Sequence, residues 1–193
     1  MHDIYWDLYN NCRIFRESIR FYKYVLKINP YLQVVILILF VALIVYSKCK
    51  KLKFKKGFAL SIVVPYIAVI YSSLVLSRSV NADYQYCFEL FWTVKMVASG
   101  RTEFLKEIIA NIFMLFPVGL LLPVLLTKNK RKTIPIGIGI SASVELLQLV
   151  TKTGMCELDD LIYNTLGLLI GYGVYCLIVL IKNSCKNREK NNV

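Results

Sequence analysis

Apolar and polar positions along this chain do not alternate on one face; they come in blocks. Five stretches of 17 to 21 residues are almost free of charge: Tyr31–Ser47, Gly57–Ser77, Ile108–Leu126, Thr133–Thr151 and Leu161–Ile181. Within Tyr31–Ser47, the run Ile36–Val45 has no polar position at all, whereas a helix lying on a soluble core keeps a polar stripe at helical period. A helix of about 20 residues crosses a hydrocarbon core of roughly 30 Å. The pattern therefore predicts an all-α, polytopic membrane bundle of about five transmembrane helices. Two further segments read as interfacial. Phe15, Ile19, Tyr22 and Leu26 form an apolar stripe opposed by Arg13, Arg16, Arg20, Lys23 and Lys27, the pattern of a helix lying on a membrane surface. Tyr84–Ser99, rich in aromatics but carrying Glu89 and Lys95, reads as an interfacial or re-entrant helix. The expected organisation is an interfacial segment over 1–30, a bundle over 31–181 and a frayed basic tail over 182–193.

Composition agrees with this reading. Of 193 residues, 57% are hydrophobic and 19% charged, with a net charge of +12. So basic a balance would suggest nucleic acid in a polar protein, but here the basic residues lie between apolar blocks, and no nucleic-acid partner is expected. Lys48–Lys56 holds six lysines, Lys128–Lys132 four basic residues and the tail from Lys182 four more. With five spans these three segments share one side, which the positive-inside rule makes the cytoplasm. The C-terminus is then inside and the N-terminus outside. No cleavable signal peptide is expected, since acids and bases are scattered through the first 30 residues before any apolar run.

The polar residues that interrupt the apolar blocks are the candidates for function. Glu145 is a formal charge within a span, and a lone carboxylate there costs about 3 kcal/mol on insertion scales, so it should face other helices or a wet cavity. It shares a helix face with Ser141 and Gln148 and lies roughly 9 Å below the outer boundary. The following segment enters from the same side with Asp159, Asp160 and Asn164. Asp160 and Asn164 share one face, and Asp159 is placed to cap the helix N-terminus. Gly167 and Gly171 continue that face with a spacing that lets a second helix approach closely. The third segment carries Glu103, Glu107 and Asn111 at successive i+4 positions, Asn111 roughly 5 Å deep. Topology thus brings Glu107, Asn111, Glu145, Gln148, Asp159, Asp160 and Asn164 to one depth in the outer half of the membrane. Arg78 and Arg101 are the candidate countercharges.

Other chemistries are poorly supplied. The only histidine is His2, no phosphate-binding glycine loop occurs, and the six cysteines lack metal-type spacing. No cofactor is evident. Carboxylates are the remaining acid-base or metal-binding groups, and Glu145 with Asp160 is the pair that would hold a divalent cation. Cys12, Cys87 and Cys156 fall outside the membrane, where one disulfide is conceivable and free thiols are the default.

The motifs Glu107-Ile-Ile-Ala-Asn111-Ile-Phe-Met-Leu-Phe-Pro117-Val-Gly119, Ser143-Val-Glu145-Leu-Leu-Gln148 and Leu158-Asp-Asp160-Leu-Ile-Tyr-Asn164-Thr-Leu-Gly167-Leu-Leu-Ile-Gly171 resemble the VanZ-like family over roughly residues 58–181. Where that family often has Gly-Arg before the paired aspartates, this chain reads Gly154-Met155. The resemblance implies a multi-pass protein of the bacterial cell membrane, named for a member associated with resistance to teicoplanin, a glycopeptide bearing a fatty acyl chain. It implies no settled reaction. The expected function is engagement of a membrane lipid, a lipid-linked cell-wall precursor or a lipoglycopeptide by the polar residues, with Pro117, Gly119, Gly167 and Gly171 serving helix packing. The alternative is a membrane enzyme acting on a lipid head group through Glu145 and Asp160. A third reading makes the polar cluster a lock between helices and nothing more.

Overall fold

The computed structural model describes residues 30–191. All five apolar stretches are helical. α1 spans Pro30–Cys49 and α2 spans Phe54–Tyr71, extended by a π-helical turn over Ser72–Leu76. A short strand β1, Gln85–Cys87, and a short helix α3, Trp92–Ala98, follow. α4 runs Glu103–Leu125 and α5 Thr133–Thr151. The strand β2, Met155–Glu157, leads into α6, Leu158–Asn191. Four helices are long and apolar enough to cross a membrane: Phe54–Leu76, Glu103–Leu125, Lys130–Thr151 and Leu158–Cys185. The apolar part of α1 within the described residues, Gln33–Cys49, is shorter.

α4 and α6 form the most extensive helix pair, and glycine makes their contact possible. A Cβ on Gly167 would run into the carbonyl of Ile112, one on Gly171 into that of Phe116, and one on Gly119 into that of Leu168. Side chains beyond hydrogen would force the backbones apart, so three glycines on two helices allow a tight crossing. Around this seam the core gathers Val63, Ile70 and Leu74 from α2 and its π turn, Leu115, Val118 and Leu122 from α4, Val144 from α5 and Leu168 from α6. α1 packs on α2, where Ser47 sits against Gly57. Its other faces expose Val34, Leu37, Ile38, Val41 and Val45, as expected of a helix in contact with lipid, where apolar exposure carries no penalty.

The three basic segments meet at one end. Lys56 Nζ donates to Thr127 Oγ1 at 3.2 Å, the side chains of Lys55 and Lys182 adjoin, and Lys130 lies 5.3 Å from the ring centre of Tyr175. The 78–102 loop and the α5–α6 connection occupy the opposite end.

Three local expectations are corrected. The aromatic segment Tyr84–Ser99 is not one helix. Gln85–Cys87 is a strand paired in parallel with Met155–Glu157, with Gln85 opposite Met155 and Cys87 opposite Glu157. Helix begins only at Trp92, after Phe91 turns the backbone to a φ of 58°. A three-residue strand whose partner lies some seventy positions away leaves no local signature. The basic tail does not fray at Lys182, because helix continues to Asn191; a run of Lys, Arg, Glu and Asn favours helix well enough to extend an existing one. Asp159 does not cap its own helix, as described below. The N-terminal amphipathic stripe over residues 13–27, and Cys12, lie outside the described residues. Cys87 and Cys156 are free thiols. They occupy consecutive register positions, Cys87 facing Glu157 and Cys156 facing Tyr86, so the alternation of strand side chains directs them to opposite faces.

Candidate functional site: a buried carboxylate cluster

The end opposite the lysines is built around acids from several elements. Asp159 is fully buried and fully used. Its Oδ1 accepts from Phe91 N at 2.5 Å, and its Oδ2 accepts from Thr93 N at 3.0 Å and Thr93 Oγ1 at 2.6 Å. The backbone donors are Phe91, just before α3, and Thr93 in its first turn, so Asp159 caps that helix from across the structure. The hydroxyls of Thr93 and Tyr163 lie 3.0 Å apart, extending the network into α6. Glu157 joins the same lid, accepting from Trp92 Nε1 at 3.0 Å, while the Trp92 ring meets Phe104 edge-on at 5.3 Å.

Asp160, the next residue, turns to a different task. Its Oδ1 accepts from Asn111 Nδ2 of α4, which ties the two helices together. Glu145 of α5 accepts the N–H of Glu157 on its Oε2 at 3.0 Å. One turn deeper on each of these helices, Asn164 Nδ2 donates to Ser141 Oγ at 3.0 Å. Glu107 stands one turn from Asn111 toward the loop, and the charge of Asp160 acts on Glu107, Glu145 and Glu157 alike. Of the residues expected to gather, then, Glu107, Asn111, Glu145, Asp160 and Asn164 are together. Glu145 is buried, with 6% exposure, and Asn164 completely so, whereas Glu107, Asn111, Glu157 and Asp160 are half-buried. The cluster is covered at its floor and partly open at its rim.

Arg78 is the cation among them. It follows the π turn of α2 and feels Asp160 most strongly, then Glu145, Glu157 and Glu107. Burial lowers its pKa from the usual arginine value and the four carboxylates oppose that shift. Burial likewise pushes the Glu157 carboxyl well above the ordinary range, with Asp160, Glu107 and Glu145 adding to the effect and the Trp92 N–H opposing it. Gly154 makes room for the guanidinium: a Cβ there would lie 2.9 Å from Arg78 Nη1 and 2.9 Å from Gln148 Cδ. Gln148 acts as framework, its Nε2 donating to Leu74 O at 3.1 Å. The π turn displaces that carbonyl from the regular helical ladder, and the buried amide supplies its partner. Arg101 sits half-buried in the turn between α3 and α4, its carbonyl accepting from Phe104 N.

Glu157 is the member that sequence reasoning missed. It stands two positions before Asp159 in an acidic string, but a strand residue outside a span has no helical depth to count, so it read as an ordinary loop charge. Among the described residues, no three His, Cys, Asp or Glu side chains form a group suited to a metal ion. The rim is aromatic: Tyr84, Tyr86, Phe88 and Phe91 are each at least half exposed, Tyr86 and Phe88 stack at 5.2 Å, and Lys152 lies 4.5 Å over Tyr84.

The VanZ/LLP1 family profile matches residues 34–180. The match takes in most of α1, which the motif resemblance over 58–181 had left out. No curated protein and no solved structure matches the chain. With three quarters of its length, and every polar residue of the cluster, inside one family profile, this multi-pass helical membrane protein belongs to the VanZ/LLP1 family.

Proposed function

We propose that the carboxylate cluster is the head-group site of a protein that engages a lipid-linked or lipid-tailed molecule at the outer face of the cell membrane, and that this engagement confers tolerance to lipoglycopeptides of the teicoplanin type. The single observation carrying the reading is the half-open cluster of Glu107, Glu145, Glu157 and Asp160 about Arg78. Acids drawn from α4, α5, β2 and α6 are costly to bury together and weaken packing unless something is bound there. Two features support an amphiphilic ligand. The aromatic rim has the composition that settles at a membrane–water interface. The cluster lies at the bundle end away from the lysines, which the positive-inside rule makes the outer end.

The test compares cells with and without the protein for susceptibility to a lipoglycopeptide and to its tail-less analogue. Loss of the protein should sensitise cells to the first and leave the second unchanged. Glu145→Gln and Asp160→Asn should behave like the deletion while the protein accumulates to normal levels. Equal responses to both antibiotics would remove the lipid tail from the reading. Loss of function only together with loss of protein would leave the cluster a structural lock.

A further inference from the structure

We propose that the cluster takes a zwitterionic head group, with a primary ammonium seated among Glu107, Glu145 and Asp160 and its neighbouring anionic group on Arg78. The inference rests on the reading of the cluster as a head-group site and names the chemistry of what enters it.

Three observations converge. The first is the balance of charge: four carboxylates act on one guanidinium. A simple anion would occupy the one cation and leave the carboxyl groups unmatched, whereas an ammonium offers them donors and favours their ionised form. The second is the state of Arg78. Lys95 and Glu89 form a salt bridge on the exposed loop, whereas Arg78 forms none with a described carboxylate. Arg78 stands near four acids and is bridged to none of them, its Nη1 lying close to Gly154. A buried guanidinium ordinarily forks onto a carboxylate; here the fork is left for an anionic group that the protein does not supply. The third is Asn164. Its residue is completely buried, its Nδ2 is committed to Ser141, and its Oδ1 has no donor among the described residues. That amide lies one turn beneath Asp160 and bridges to the residue one turn beneath Glu145, so it sits beneath the cluster. Buried acceptors without donors are rare.

Glu145 and Asp160 each give one described oxygen to the protein, Oε2 to the Glu157 N–H and Oδ1 to Asn111, which leaves each a second oxygen as acceptor. A primary ammonium carries three N–H donors and no acceptor, and so matches a floor made of acceptors. A quaternary ammonium has no donor for them, and a phosphate has no use for them.

The purified full-length chain in detergent provides the test. Its probes are dihexanoyl phosphatidylethanolamine, the same lipid N-acetylated, dihexanoyl phosphatidylglycerol and water-soluble phosphoethanolamine. Phosphatidylethanolamine should bind at least tenfold more tightly than its N-acetylated form or phosphatidylglycerol. Glu145→Gln and Asp160→Asn should each abolish that preference, bringing phosphatidylethanolamine and phosphatidylglycerol to within about threefold of one another, and Arg78→Gln should weaken both lipids. Both carboxylate variants keep an oxygen for the donor that the native side chain accepts, and either alone suffices if the other does not fold. Equal binding of all three lipids overturns the ammonium assignment and leaves the amphiphile reading intact. Binding of none overturns both. Phosphoethanolamine binding as tightly as the lipid upholds the ammonium chemistry and removes the acyl chains from the function.

Discussion

The two ends of this bundle carry opposite charges, and they hold them in opposite ways. At one end Lys50, Lys51, Lys53 and Lys55 are exposed, and Lys55 adjoins another cation, Lys182. At the other, Asp159 is buried with both carboxylate oxygens bonded, and Glu145 is buried with Oε2 bonded to the Glu157 N–H. Exposed charges are screened within about 10 Å at 0.1 M salt and contribute little to stability. Buried ones are costly unless fully partnered, and removing a partner is more costly still. On the proposed reading the lysines serve orientation, which needs only their presence on one side of the membrane. The acids hold positions relative to one another, which is what recognition requires.

The contrast is most easily broken at Asp159. Replacing it with alanine strips the α3 N-terminus of an acceptor for two backbone N–H groups and leaves Thr93 Oγ1 short of a partner in a buried position. The expected loss is about 3 kcal/mol, from charge-assisted bonds and buried donors left unmade, seen as a lower unfolding midpoint in detergent and as proteolytic nicking within residues 78–102. Thr93→Val, which removes only the hydroxyl links to Asp159 and Tyr163, should cost about 1 kcal/mol. If Asp159→Ala leaves both the midpoint and the nicking unchanged, the carboxylate end is not organised by its buried acids.

How much of this was open to the sequence differs between the same two ends. The spans and the shared side of the basic segments followed from block length and charge, because the membrane imposes both one-dimensionally. The meeting of Asn111 with Asp160 followed too. Helical rise fixes depth, and a chain that crosses and returns places equal depths side by side. What did not follow depends on contacts between distant segments outside the spans. β1 finds β2 across about seventy residues, and Asp159 spends its oxygens on Phe91 and Thr93 instead of on its own first turn. The Nε2 of Gln148 serves a carbonyl that a π turn in α2 displaced, and no periodicity in Ser72–Leu76 announces such a turn. Glu157 was hidden for the same reason: its place in the cluster comes from strand pairing.

Glu157 gives a smaller effect that sharpens the comparison through pH. Its pKa is raised in the folded protein from 4.5, by burial first and by Asp160, Glu107 and Glu145 after it. The folded state therefore holds that proton more tightly than the unfolded state does. The associated stability is complete below about pH 4.5 and is lost as pH rises through the folded pKa, at about 1.4 kcal/mol for each unit of difference. Glu157→Gln keeps an oxygen for Trp92 Nε1 and removes the titration. The variant should match the native protein near pH 4 and exceed it in thermal midpoint by a margin that grows toward pH 8. A margin independent of pH would mean that Glu157 is solvated like a surface carboxylate and that the cluster is open to bulk water throughout.

The smallest effect belongs to the lysine end. Lys55 is exposed, and its near neighbour is another cation, Lys182. Lys55→Gln removes a repulsion that water and salt already screen, so the unfolding midpoint should stay within measurement error of the native value at 0.15 M salt and shift slightly upward, if at all, when salt is lowered. The charge should matter only in number: replacing Lys50, Lys51, Lys53 and Lys55 together should leave the folded protein as stable while lowering the fraction of chains inserted with that loop inside, read by the accessibility of a thiol at Cys49 to an impermeant reagent. A fall in midpoint on the scale expected for Asp159→Ala would show that the lysine end, too, is folded around its charges. The division between an end that orients and an end that recognises would then have to be abandoned.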